Sequence, residues 1–190
     1  MEKTAPGRLE IVREFINTAD IETGADKLAT TAGLERWIAR QDLVSGPPTP
    51  PECDGQELET AVALREALRA LCLANNGLQP DHDARSALDA ATANLHLHLT
   101  ARFGADGMIS LEPDETGIRQ ALAEILTIVF AALHDGNWYR LKACADDTCQ
   151  FAFYDHSKNH SGHWCTMAEC GNRAKVRSYR ARQLPVTAAG

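Results

Sequence analysis

Four of the six cysteines fall into two pairs, Cys144-Ala-Asp-Asp-Thr-Cys149 and Cys165-Thr-Met-Ala-Glu-Cys170, with four residues inside each pair and fifteen between the pairs. A loop of that size turns both sulfurs of a pair toward one point, and the intervening segment can fold back to deliver the second pair. Four converging thiolates make a closed tetrahedral cage that suits one structural Zn²⁺. Zinc pairs more often carry two intervening residues, so the spacing alone is a moderate signal. Aromatic residues in the interval (Phe151, Phe153, Tyr154, Trp164) and a basic run after Cys170 strengthen it.

That basic run would form a helix. On it Arg173, Arg177 and Arg180 share one side, while Lys175 and Arg182 share another. Arginine forks and a lysine near a helix N-terminus suit phosphate oxygens, so these five side chains are the candidate DNA contacts. The alternative is a solvated face that balances the thiolate charge. Arg177 and Arg180 have no acidic residue three or four positions away, which leaves them free for phosphate, while Arg173 has Asp155 or Glu169 as candidate partners.

Histidines offer a weaker case. His96 and His98 share a strand face, and His156, His160 and His163 lie among the cysteines, where four thiolates already complete a shell. No nucleotide-binding glycine loop, nucleophile elbow or paired-histidine helix occurs. A four-thiolate zinc also leaves no open coordination position for catalysis. No enzyme activity is expected.

The residues from Trp138 to Arg182 resemble the CGNR zinc finger. The resemblance rests on Lys142-x-Cys144, Phe153-Tyr154-Asp155-x-Ser157-x-Asn159, Trp164-Cys165 and Cys170-Gly171-Asn172-Arg173-x-Lys175, and it covers about a quarter of the chain. It implies a treble-clef-like module: a knuckle, a hairpin and a helix whose first turn supplies the last ligands. Arginines usual just before the Trp-Cys step are replaced here by Ser161-Gly162-His163. The family's usual N-terminal partner is the ABATE domain. The preceding residues resemble it through Leu9, Phe15-Ile16-Asn17-Thr18, the Trp37 helix and Leu64-Arg65-Glu66-Ala67-Leu68-Arg69. Together these resemblances imply a stress-induced transcription regulator whose body binds a small-molecule ligand, with Asn17 and Thr18 as pocket candidates. For those two residues a capping and turn role is the competing reading.

Charge supports a divided chain. Residues from Trp138 onward carry eight Lys/Arg against four Asp/Glu, a formal +4, which leaves −11 for residues 1–137 out of a total of −7. An acidic body with a basic tail argues against wholesale nucleic-acid wrapping and allows one local basic surface. Glu2, Lys3, Arg8 and Glu10 interrupt any apolar run, so no secretory leader is expected. The longest apolar stretch, Ala121 to Leu133, contains Glu124 and is too short to span a bilayer. A cytoplasmic location is expected, and a reducing compartment favours metal over disulfides. Cys53 and Cys72 read as ordinary unpaired cysteines.

Periodicity predicts a helix ending at Asn17-Thr18 and another over Leu28–Leu43 capped by Thr30 or Thr31. A proline-rich loop follows over Ser45–Gly55. The clearest helix is Glu57–Asn75, with Leu58, Val62, Leu68, Leu71 and Cys72 as its stripe and Gly77 as its stop. A further helix is predicted from Pro80 to about Asn94. Alternation from Leu95 to Phe103, a turn at Gly104–Gly107 and a return through Leu111 predict a hairpin, and Asp114 is the candidate cap of a long apolar helix to His134. The fold class is therefore a mainly α body with one β-hairpin (1–137), a small zinc finger (138–184) and a loose tail (185–190). Metal removal should unfold the chain after Leu141 and spare the body. A protein-interaction module, with zinc as a staple or as the contact of a homodimer, is the rival reading.

Overall fold

The computed structural model describes residues 3–41, 43–44, 52–78, 98–105, 107 and 109–183, with the isolated positions 86, 89 and 93. The predicted helix over 80–94, most of the proline-rich loop, His96 and the tail 185–190 lie outside the described residues. Three helices come first: α1 (Leu9–Ile16), α2 (Thr31–Ile38) and α3 (Gly55–Asn75). The antiparallel hairpin β1 (Leu99–Phe103) and β2 (Ile109–Pro113) leads into α4 (Gly117–His134). A 3₁₀ turn (Trp138–Arg140) then opens a second antiparallel pair, β3 (Leu141–Ala143) and β4 (Ala152–Tyr154). A π-helical turn (Met167–Gly171) runs into the last helix, α5 (Asn172–Gln183).

Local chemistry explains the boundaries. Thr30 caps α2 by accepting a hydrogen bond from the Gly33 amide through Oγ1 at 3.1 Å. A Cβ at Gly33 would stand 2.3 Å from the Lys27 carbonyl oxygen, so only glycine lets the preceding chain cross this turn. The helix stops at Ile38, short of the predicted Leu43. Asp54 and Glu57 form a reciprocal capping box that starts α3 two residues earlier than predicted. Its buried stripe is Ala61, Leu64, Leu68 and Cys72, with Leu58, Val62 and Leu71 only at the margin. Asp114 does not cap α4: it lies two residues before the cap position and still belongs to the hairpin, its amide donating to the His98 carbonyl. Thr116 occupies the cap position instead, without a side-chain bond.

Helix α4 packs against α1, α2 and α3, burying Ile118, Leu122, Ile125, Ile128 and Val129. Its hydropathy over eighteen residues would also suit a membrane span by length and composition, and this packing uses that apolar face in the core. Phe15 and Trp37 meet with ring centroids 5.2 Å apart, a favourable tilted pair.

The core does not stop at residue 137. Trp138, Leu141, Ala143, Ala152 and Tyr154 belong to the same buried cluster as Phe15, Leu64 and Leu122. β3 lies on α3 and β4 on α1. Buried apolar contact is what makes such elements fold together, so the packing has no seam at the predicted boundary. The expectation that the body would survive unfolding of everything after Leu141 conflicts with this shared core.

Candidate metal centre

The β3–β4 hairpin straddles the first cysteine pair. Cys144 follows β3, the knuckle reverses the chain, and Cys149 precedes β4, after which a loop leads to Cys165. Asp146 builds the knuckle, its carbonyl accepting from the amides of Cys149 (2.9 Å) and Gln150 (3.0 Å). Gln150 turns the chain with a left-handed φ of 46°, and buried Arg69 of α3 holds its carbonyl at 3.1 Å. Cys165 and Cys170 flank the turn before α5, which Thr166 caps by accepting from the Glu169 amide.

The four sulfurs lie within 4.8 Å of one another, and among the described residues no other group of His, Cys, Asp and Glu gathers this way. Cys149 Sγ is 3.7 Å from Cys165 Sγ, which is 3.5 Å from Cys170 Sγ. A tetrahedron with Zn–S bonds of about 2.3 Å has S···S edges of about 3.8 Å, whereas a disulfide needs about 2.0 Å. The observed edges match the zinc cage. The sulfurs are close enough to share thiol hydrogen bonds, which hold Cys144 down by donation from Cys149 and Cys165 and push those two donors up. Cys144, Cys149, Cys165 and Cys170 thus form a closed centre for one structural zinc, with Cys144 and Cys170 buried and the other two partly exposed.

Arg173 supports this shell. Its Nη2 donates to Cys170 Sγ at 3.0 Å, its Nη1 meets Glu22 Oε1 at 2.5 Å, and its Nε lies 3.1 Å from Asp146 Oδ2. Glu22 sits on a body loop that the Asp20 carboxylate organises by accepting from the amides of Glu22 and Thr23. Asp146 is fully buried, and its Oδ2 has ionic partners in Arg173 and Arg177 without an aligned hydrogen bond. Burial would raise the Asp146 pKa, but Thr148 and Arg177 outweigh it and keep the carboxyl ionised.

The family-signature residues have structural tasks. Lys142 Nζ donates to Asp155 Oδ2 at 2.8 Å and to the carbonyls of His160 and Gly162. Asp155 accepts in turn from the amides of Ser157 (2.9 Å) and Gly162 (2.8 Å), closing the loop. A Cβ at Gly162 would meet the Asp155 carboxyl carbon at 2.9 Å, which gives this glycine a packing reason. Trp164 packs beside Gly171, next to the last ligand. The Gly171 amide points at the Thr166 carbonyl rather than at sulfur.

The remaining candidates fall in different places. Arg177 is not free: it contacts Asp146 at 3.2 Å and Asp147 at 3.7 Å, partners about thirty positions upstream that helix spacing could not reveal. Neither Asp155 nor Glu169 is the partner of Arg173. Lys175, Arg180 and Arg182 are exposed, and only Arg182 is tethered, its Nε donating to the Ser178 carbonyl of its own helix. Asn17 pairs with β4, donating from Nδ2 to the Ala152 carbonyl at 2.9 Å and accepting from its amide at 2.7 Å. Thr18 is buried, its hydroxyl donating to the Phe15 carbonyl and accepting from Arg65. Both use their hydrogen bonds inside the protein, Thr18 locally on the preceding helix and Asn17 across to β4. His98 faces Glu115, His156 the Thr4 carbonyl and His163 the Asn76 side chain, all away from the sulfurs.

Asn75 and Asn76, at the C-terminal end of α3, staple body to finger. Asn75 Nδ2 donates to the carbonyls of Trp138 and Leu141; Asn76 Nδ2 donates to those of Ala143 and His163. Two adjacent asparagines ending a buried stripe were the available signal.

A helical body bearing a four-cysteine zinc finger on a shared core is the class of protein that this fold and site define. Comparison with family models agrees: residues 140–183 match the CGNR zinc finger, and residues 10–137 match ABATE, described as "Putative stress-induced transcription regulator". The chain belongs to the ABATE family and carries a CGNR zinc finger at its C-terminal end. No curated protein matches it.

Proposed function

We propose that this protein is a non-enzymatic, cytoplasmic transcription regulator that binds DNA through α5. One observation carries the reading: α5 buries no residue, and it presents Lys175, Arg180 and Arg182 without an acidic partner among the described residues. A helix with no apolar face in the core gains nothing from folding onto its own protein. Cations along it gain by releasing counterions from phosphate. Arg173 and Arg177 are consumed by Glu22, Asp146 and Asp147 and anchor the helix, which leaves Lys175, Arg180 and Arg182 as the cations for phosphate. Nothing on α5 distinguishes base-reading residues, so the binding is sequence-tolerant backbone contact. The zinc-loaded protein titrated with duplex DNA across a salt series tests this. Log affinity should fall against log salt with a slope of about −3, near one unit per phosphate contact. Binding that ignores salt would contradict it.

Small-molecule sensing completes the proposal and resides in the body. A cavity of about 350 Å³ between Pro6–Leu9 and the outer side of α4, with Arg8 and Glu124 paired across it, is the candidate receptor in place of Asn17 and Thr18. The shared core is the means by which occupancy there would reach the finger.

A second reading draws on Val176 and Tyr179, which are exposed on α5 at 48% and 62%. Apolar residues on a bare helix also suit a protein partner. Complexes formed that way would persist at high salt.

A further inference from the structure

The β1–β2 hairpin carries three of the body's exposed large apolar residues among those described, Leu99, Phe103 and Ile109. Its register pairs Leu99 with Pro113, Ala101 with Leu111 and Phe103 with Ile109, so these six apolar residues share one face. That face is open: Phe103 is 78% exposed, Ile109 61% and Leu99 45%. The opposite face carries Thr100, which is half-buried, and the exposed Arg102, Ser110 and Glu112. On the apolar face Leu111 and Pro113, beside α4, are half-buried, and among the described residues the rest of that face is exposed; a two-stranded ribbon with so little cover is marginal in water.

Its two edges differ. The Asp114 amide donates to the His98 carbonyl, which sets the phase of the ladder. With that phase, residues 100 and 102 bond to β2, whereas Leu99, Ala101 and Phe103 turn their amides and carbonyls outward. On β2 the outward positions are Ile109, Leu111 and Pro113, and proline has no amide to offer, so this edge is blunted. Among the described residues, nothing pairs with the β1 edge at any of its three outward positions.

We propose that the β1 edge is a homodimer interface, joining two hairpins antiparallel about a two-fold axis at Ala101 into one four-stranded sheet. In that register Ala101 faces the partner's Ala101, Leu99 faces the partner's Phe103 and Thr100 faces the partner's Arg102. The outward amides and carbonyls exchange hydrogen bonds, and the two apolar faces merge into one. No like charges oppose each other. Arg102 is already neutralised by Glu112 at 3.1 Å, so no unpaired charge lies on the paired strands where two copies would meet, while a hairpin with one Arg against Asp106 and Glu112 has no pull on a nucleic acid. The contact lies in the body, away from the zinc finger, and does not depend on DNA binding.

Sedimentation of the full zinc-loaded chain, from micromolar to hundreds of micromolar, tests the interface. The parent should dimerise. Ala101→Pro removes only an outward amide and should weaken the dimer at least about tenfold. Ala101→Lys and Ala101→Glu, at an exposed position, should each keep the parent's melting temperature and be monomeric, and an equimolar mixture of the two should dimerise again. A parent that stays monomeric throughout overturns the proposal and leaves the edge to a different protein. Charged variants that dimerise like the parent, or a mixture that stays monomeric, overturn it equally.

Discussion

Arg173 Nη2 lies 3.0 Å from Cys170 Sγ, and the same guanidinium reaches the buried Asp146 and the body residue Glu22. One side chain thus ties the last zinc ligand to the first knuckle and to the domain beneath it. A charge-assisted hydrogen bond to a ligating sulfur orients it and stabilises its ionised form. Arg173→Lys keeps the charge but loses the fork. It should lower zinc affinity about tenfold or more, read by competition with a chromogenic chelator. Glu22→Gln removes only the outer contact and should leave zinc affinity near that of the parent. Equal losses in both variants would mean that Arg173 acts through the body and not through the sulfur.

Zinc removal should destabilise the whole chain. Ala143 and Ala152 are core residues flanking the first cysteine pair, and Asn17, Asn75 and Asn76 bond β3 and β4 to the body. Chelation should therefore lower the melting temperature in a single transition, with hydrogen-exchange protection lost in α1 and α3 as well as after Leu141. A body that melts unchanged while residues 141–183 exchange freely would show two independent units.

Lys142 and Asp155 form a buried pair at 2.8 Å, both almost fully enclosed. Lys142→Met would leave a buried carboxylate without its cation and should cost about 3–5 kcal/mol. Burial would raise the Asp155 pKa, but Lys142, Ser157 and the Gly162 amide outweigh it and hold the carboxyl well below its usual range. A depressed folded-state pKa gives stability that is present above the unfolded value of about 3.9 and lost as pH falls toward the folded value. Urea unfolding below pH 4 should therefore converge for the parent and a Lys142→Met/Asp155→Leu variant that lacks the pair. Curves that stay parallel would remove Asp155 from the acid response.

The metal was legible because both ligand pairs are local: four residues apart, they must share a turn, and turns are visible in sequence. The helices were legible from their stripes. What escaped was partner choice over long separations. Asp146 read as one of two acidic residues in a short loop, yet burial under α5 makes it the anchor of Arg173 and Arg177. Asn17 stood out as polar at the end of an apolar helix, but its partner, Ala152, lies 135 positions away. The fusion of finger and body was hidden for the same reason, since β3 and β4 are each three residues long and their apolar character fits a finger core or a body core equally well.

DNA binding by α5 rests most directly on Lys175, Arg180 and Arg182. Changing all three to Ala touches no residue buried in the fold and should shift stability by only about 0.5 kcal/mol per site, with zinc content unchanged. Affinity for duplex DNA, measured by fluorescence anisotropy over a salt series, should fall about equally for unrelated sequences. The slope of log affinity against log salt should flatten by about 2 to 3. A triple variant that binds as tightly as the parent at every salt concentration would contradict the account and leave α5 as a protein-contact helix.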